Sequence, residues 1–122
     1  MKKDQITDLS YLNEISAGNK KFIIELIDMF FQQVLEYQEL LQILYEEKNW
    51  LALAKVAHKA KSSVIMVGLK KLGSKLKMLE EKAKEGKDIE SYKEIIAKFV
   101  NDSNLAIKEL KEVQTEIIQN IN

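Results

Sequence analysis

Apolar residues recur at spacings of three and four along almost the whole chain, and proline, which would interrupt such a pattern, is absent. A sequence of this kind buries its apolar side chains by stacking amphipathic helices, so the fold class is all-α. From Asn19 to about Lys48, the positions Ile23, Ile27, Phe30, Val34, Tyr37, Leu41 and Leu44 mark the seam of a long helix. A second helix, from Asn49 to about Val67, carries Leu53, Ala57, Ala60, Val64 and Val67, with Asn49 as its N-cap and Gly68 as the left-handed residue that ends it. The third places Leu69, Leu72, Leu76, Leu79 and Ala83 on one face and stops at Gly86. Asp88 is expected to cap the fourth, which repeats Tyr92, Ile96, Phe99, Ser103, Ala106, Leu110, Val113 and Ile117 nearly to the C-terminus. A short leading helix over 8–16, with Leu9, Leu12 and Ile15 apolar and Gly18 at its end, is expected to close one end. Long helices joined by short loops predict an antiparallel up-and-down four-helix bundle with a short extra N-terminal helix.

At 122 residues the chain is expected to be one domain, 1–122, with no internal linker or repeat, free-standing and monomeric. The absence of Cys excludes disulfides, a thiol nucleophile and Cys-ligated metal sites. No apolar run approaches the roughly 18 residues of a membrane span, and the N-terminus leads into no apolar signal region, so a cytoplasmic protein with no membrane contact is expected.

The 19 cations are all Lys and balance 19 acids, so bulk charge names no partner. Its distribution is more informative. Residues 1–50 hold five Lys and nine acids, 51–87 hold ten Lys and three acids, and 88–122 hold four Lys and seven acids. Between Asn49 and Leu79 there is no Asp or Glu at all, whereas a solvated helix ordinarily mixes signs. The middle two helices therefore present a basic surface suited to an acidic protein face, a phosphate or nucleic acid. The lack of Arg and the scarcity of exposed aromatics argue against nucleic-acid reading.

His58 is the sole histidine and lies inside the acid-free stretch. It is turned about 100° from the apolar seam of its helix, which predicts an accessible ring. Its helical neighbours Ala54 and Ser62 are small, while Lys55 and Lys61 flank it with positive charge and favour a neutral, nucleophilic imidazole. Metal binding fails on ligand count, since Lys55 stands where a carboxylate-bridged bundle needs a Glu three residues before the His. A Ser-His-acid arrangement fails as well, because no carboxylate on this helix can orient the ring. The missing phosphate-binding loop rules out an autonomous kinase.

The run His58-Lys59-Ala60-Lys61-Ser62-Ser63, preceded by Ala57 and followed by Gly68, Leu72, Leu79 and Glu80, resembles the signature of histidine-containing phosphotransfer (HPt) domains. The upstream segment Glu25-Leu26-Ile27-Asp28-Met29-Phe30 is similar to the Leu-x-x-Phe stretch of that family. In the resemblance Lys61 holds the lysine position, Ser63 the small one and Gly68 the helix-ending one. Ala60 replaces a bulky apolar residue, and Ser62 replaces a Gly, with a hydroxyl able to donate to a phosphoryl oxygen.

The resemblance implies a phosphorelay intermediate. His58 would take a phosphoryl group from the phospho-aspartate of one receiver domain and pass it to another, with a hybrid sensor histidine kinase upstream. Lys61 and Ser62 would stabilise the phosphoryl group, and Lys55 and Lys59 would help electrostatically. The expected neighbourhood holds no carboxylate, so no metal or other cofactor is expected on this chain, and Mg²⁺ would arrive with the receiver. Ile24, Phe31 and Leu35 form a second apolar stripe on the long helix, and Phe31 is the expected receiver contact. The competing reading is a non-catalytic scaffold that binds an acidic protein through its Lys-rich face, in which His58 is incidental.

Overall fold

The polar residues at the segment boundaries act as helix caps. Asn19 and Asn49 accept hydrogen bonds through their side-chain oxygens from Phe22 N at 3.1 Å and Ala52 N at 3.3 Å. In a computed structural model, which describes residues 5–121, the helices are α1 (Ser10–Ser16), α2 (Lys20–Glu46), α3 (Trp50–Met66), α4 (Lys70–Glu85) and α5 (Tyr92–Ile121). A single 3₁₀ turn, Ile89–Ser91, leads into α5. The described residues include no strand, and no helix among them is long and apolar enough to cross a membrane.

Each of α1 to α4 ends in the same way. An amide just past the helix end reaches back five residues, as in Leu69 N to Val64 O and Lys87 N to Lys82 O, both at 2.9–3.0 Å. The residue directly before that amide is left-handed: Ala17, Lys48, Gly68 and Gly86. These tight ends reverse the chain, so consecutive long helices run antiparallel. They pack in the cyclic order α2, α3, α4, α5 and back to α2, closing a four-helix bundle.

The seams fill the interior as their periodicity requires. Ile27, Phe30, Val34, Leu41, Leu53, Ala57, Ala60, Val64, Leu76, Leu79, Phe99, Ala106 and Leu110 are all fully buried, and Tyr37, Leu44, Val113 and Ile117 pack at its margins. Ser103, the polar member of the α5 seam, is buried without cost because its hydroxyl donates to Phe99 O and it accepts from Gln38 Nε2.

Two expectations at the ends are corrected. Asp88 does not cap α5. Its backbone is left-handed, its carbonyl receives Ser91 N and Oγ, and its carboxylate turns instead to Lys82 Nζ at 3.6 Å. The leading helix begins at Ser10, because the Asp8 carboxylate accepts Ser10 N and Oγ at its start. Of its apolar residues Leu12 is buried, whereas Ile15 is 42 % exposed.

α2 and α5 outrun the α3–α4 hairpin, and α1 with the residues before it covers the projecting end. Gln114 of α5 donates to Ile24 O and to Asp28 Oδ1 of α2 along this extension. The leading segment is pinned to α5 by Glu109, whose carboxylate accepts Ile6 N, Thr7 N and Thr7 Oγ at 2.8–3.0 Å. It is pinned to the α3–α4 turn by Asp8 N to Val67 O at 2.9 Å. Gly68 permits that approach, since a Cβ there would lie 2.5 Å from the Asp8 backbone nitrogen.

Within the hairpin, α3 and α4 approach closely because small residues face each other. Ala54 is fully buried, and a Cβ on Gly73 would sit 2.7 Å from Ile65 Cγ1. This close approach carries α4 side chains to the rim of α3.

Candidate functional site

His58 stands on that rim. The α3 seam turns Ala57 and Ala60 inward, leaving His58 one position around the helix with its side chain 59 % exposed. Its ring is not free to rotate, however. Nδ1 lies 3.0 and 3.1 Å from the two carboxylate oxygens of Glu80 on α4. A carboxylate at that distance accepts, so the Nδ1 proton is held in place and the lone pair resides on Nε2. Nε2 has no hydrogen-bond partner among the described residues.

This corrects the expectation of a neighbourhood without carboxylates. The acid-free stretch is acid-free along the chain, but the antiparallel return of α4 brings Glu80 back across it. Glu80 lies just beside the Leu72, Leu76 and Leu79 seam, which gives it its place at the edge of the core. Counting from the Gly68 turn, ten residues back to His58 and twelve on to Glu80, would have found the pair.

Glu80 is nearly buried and meets three donors: His58, Lys61 Nζ at 3.6 Å on Oε1, and Lys84 Nζ at 3.2 Å on Oε2. Burial acts to raise its carboxyl group. The hydrogen bonds from His58 and Lys84 and the charges of His58 and Lys61 outweigh it together and hold the group below the ordinary carboxylate range. A lowered carboxyl stabilises the fold above its unfolded value, and that contribution is lost as the pH falls through the lowered one. Glu80→Gln is therefore expected to be less stable than the wild type at pH 7, with the gap closing below about 4.3. Urea unfolding at pH 7, 5 and 3 measures this, and a gap as large at pH 3 as at pH 7 would contradict it.

The other expected residues divide into two groups. Lys61 is brought to the site, 22 % exposed and engaged with Glu80. Lys55, Lys59, Glu80, Lys84 and Ala54 line a shallow depression around His58, and neither Lys55 nor Lys59 has an acidic partner among the described residues. Ser62, one turn beyond His58, is exposed, while Ser63 points the other way and donates to Gln33 Oε1 of α2 at 3.1 Å. Lys84, which the sequence reading passed over, is the additional cation, placed by its i,i+4 relation to Glu80.

Phe31 is not brought to the site. It shares a helix face with Ile24 and Asp28, which Gln114 of α5 contacts, and its ring meets Phe30 edge-on at 6.4 Å. The α2 face that adjoins α3 is marked by Gln33, and Met29, one turn earlier and 49 % accessible, is an exposed apolar side chain on it. A stripe of apolar residues identifies an outer flank but does not say which neighbour it borders.

Among the described residues, no group of three or more His, Asp or Glu converges to hold a metal ion. The arrangement is therefore a solvent-facing nitrogen nucleophile with a fixed tautomer, a buried counter-charge behind it and ammonium groups around it. A family model described as the Hpt domain matches residues 25–118, which contain every element of this arrangement. No curated protein and no solved structure matches the chain at a significant level.

Proposed function

Because the chain belongs to the Hpt domain family, which serves phosphotransfer in two-component systems, we propose that His58 Nε2 accepts a phosphoryl group from a receiver's phospho-aspartate and passes it to the aspartate of a second receiver. The observation that carries this reading is the Glu80 contact at Nδ1. It leaves Nε2 as the one free ring lone pair, on a side chain that is largely exposed.

In the transfer step the Nε2 lone pair forms the N–P bond while the P–O bond to the receiver's aspartate breaks, and that carboxylate leaves with the electron pair. No proton has to move, because Nδ1 keeps the one it has. The ring becomes cationic as the bond forms, and the adjoining Glu80 carboxylate stabilises that charge. In this reading Lys61 and the Ser62 hydroxyl, three and four residues beyond His58 on the same helix, meet the phosphoryl oxygens.

Mg²⁺ and the acidic cluster that holds it come from the receiver in this reading, since Glu80 is already committed to two ammonium groups and the His58 N–H. Lys55 and Lys59, without an acidic partner among the described residues, steer that acidic face to the exposed side of α3. Met29 on the α2 flank, rather than Phe31, offers apolar area beside it. A hybrid histidine kinase supplies the first receiver.

The test is incubation with phosphorylated receivers and Mg²⁺, followed by intact-mass and lability analysis. One acid-labile, alkali-stable phosphoryl group is expected. Absence of label from several receivers would remove this reading in favour of a scaffold that binds acidic proteins.

A further inference from the structure

Glu80 Oε2 serves two donors at once. His58 Nδ1 lies 3.0 Å from it and Lys84 Nζ 3.2 Å, while the other oxygen meets the same His58 N–H at 3.1 Å and Lys61 Nζ at 3.6 Å. Sharing one acceptor is comfortable while the ring is neutral. It ceases to be so when the ring gains positive charge on forming the N–P bond, because a cationic N–H and two ammonium groups are then gathered on one carboxylate and repel one another.

The same event places a dianionic phosphoryl group at Nε2, on the open side of the ring. Lys84 is the cation able to respond. Its side chain is 58 % exposed, against 22 % for Lys61, and it lines the same depression as His58 opposite the small, buried Ala54.

We propose that Lys84 is a phosphoryl-binding residue that exchanges partners during transfer, leaving Glu80 Oε2 to the His58 imidazolium and moving its ammonium to the phosphoryl oxygens. This rests on the phosphotransfer reading of His58 and deepens it. The exchange leaves Glu80 with as many ion contacts as before. Glu80 loses Lys84 as it gains a charged ring, and the phosphoryl group gains a cation that was already beside it. The unphosphorylated site thus stores its second counter-ion on the carboxylate that orients the nucleophile.

The consequence is thermodynamic, since Lys84 contributes more to the phosphorylated state than to the free one. At equilibrium with a phosphorylated receiver and Mg²⁺, Lys84→Gln should shift the phosphoryl partition from His58 to the receiver by about three- to tenfold, the size of an exposed charge-assisted contact. Lys84→Arg, which keeps the charge, should retain the wild-type partition. Lys75→Gln, on the α5 side of α4, removes the same charge away from the site and should leave the partition unchanged.

The ³¹P resonance of phospho-His58 provides a second readout that a merely structural role would not move. It should differ between wild type and Lys84→Gln and coincide more nearly for Lys84→Arg. An unchanged partition and resonance in Lys84→Gln would overturn the proposal while leaving phosphotransfer intact. An equal shift in Lys75→Gln would overturn it too, reducing the effect to net charge. No label on the wild type would instead remove the reading on which it rests.

Discussion

His58→Gln should carry no acid-labile phosphoryl group, with transfer falling by about three orders of magnitude or more, because the chain has no other imidazole on which the covalent intermediate can form. The substitution is mild in every other respect. The side chain is 59 % exposed, and Gln still offers an N–H to Glu80, so stability should change by about 0.5 kcal/mol or less. Intact mass after incubation with a phosphorylated receiver reads the first effect, and urea unfolding the second. Equal label on wild type and variant would place the chemistry at another residue. Loss of label together with loss of the fold would mean that the Glu80 contact matters chiefly for folding.

Gly68→Ala should be the most damaging change of a single methyl group at a helix end. At φ +89° an L side chain costs about 1–2 kcal/mol, as at any left-handed position. Here the added Cβ would also sit 2.5–2.6 Å from the backbone nitrogen and oxygen of Asp8, a contact that backbone must relieve by moving. Displacing Asp8 strains the hydrogen bond to Val67 O, so a total of about 2–4 kcal/mol is expected.

Gly18→Ala separates the two terms. Its φ is +77°, but nothing lies within 4 Å of the added Cβ, so the conformational part alone, about 1–2 kcal/mol, should be lost. Denaturant midpoints of the two variants measure the difference, and faster exchange of the Asp8 amide in Gly68→Ala should accompany it. Equal losses would show that the leading segment gives way freely. Phosphoryl acceptance by folded Gly68→Ala should persist, since His58 and Glu80 lie two or more turns from the strained contact.

The periodicity determined a great deal without help. Spacings of three and four require helices, short polar and Gly-containing breaks require reversals, and together they leave an antiparallel bundle as the economical packing. The same phase arithmetic turned His58 off the α3 seam and kept Ala57 and Ala60 on it. These properties are local: they depend on 3.6 residues per turn and on which residues tolerate a left-handed backbone. The match of His58, Lys61 and Gly68 to a family signature is likewise a matter of spacing along one helix.

What one helix faces on its neighbour is a different kind of quantity. Glu80 is 22 positions from His58, and their contact depends on how far α4 slides and how closely it approaches α3, which Gly73 and Ala54 decide by having almost no side chain. Lys84 entered the site with it. The sign of the charge around the ring changed accordingly, from uniformly basic to a buried carboxylate shared among cations.

Phe31 shows the same boundary from the other side, because its exposure followed from phase but its flank followed from which helix packs beside it. Helical phase is set by the chain's own geometry and can be counted from the sequence. Interhelical register and handedness are set by side-chain packing between residues far apart along the chain, as in Gln38 with Ser103, and exist only once the bundle has closed.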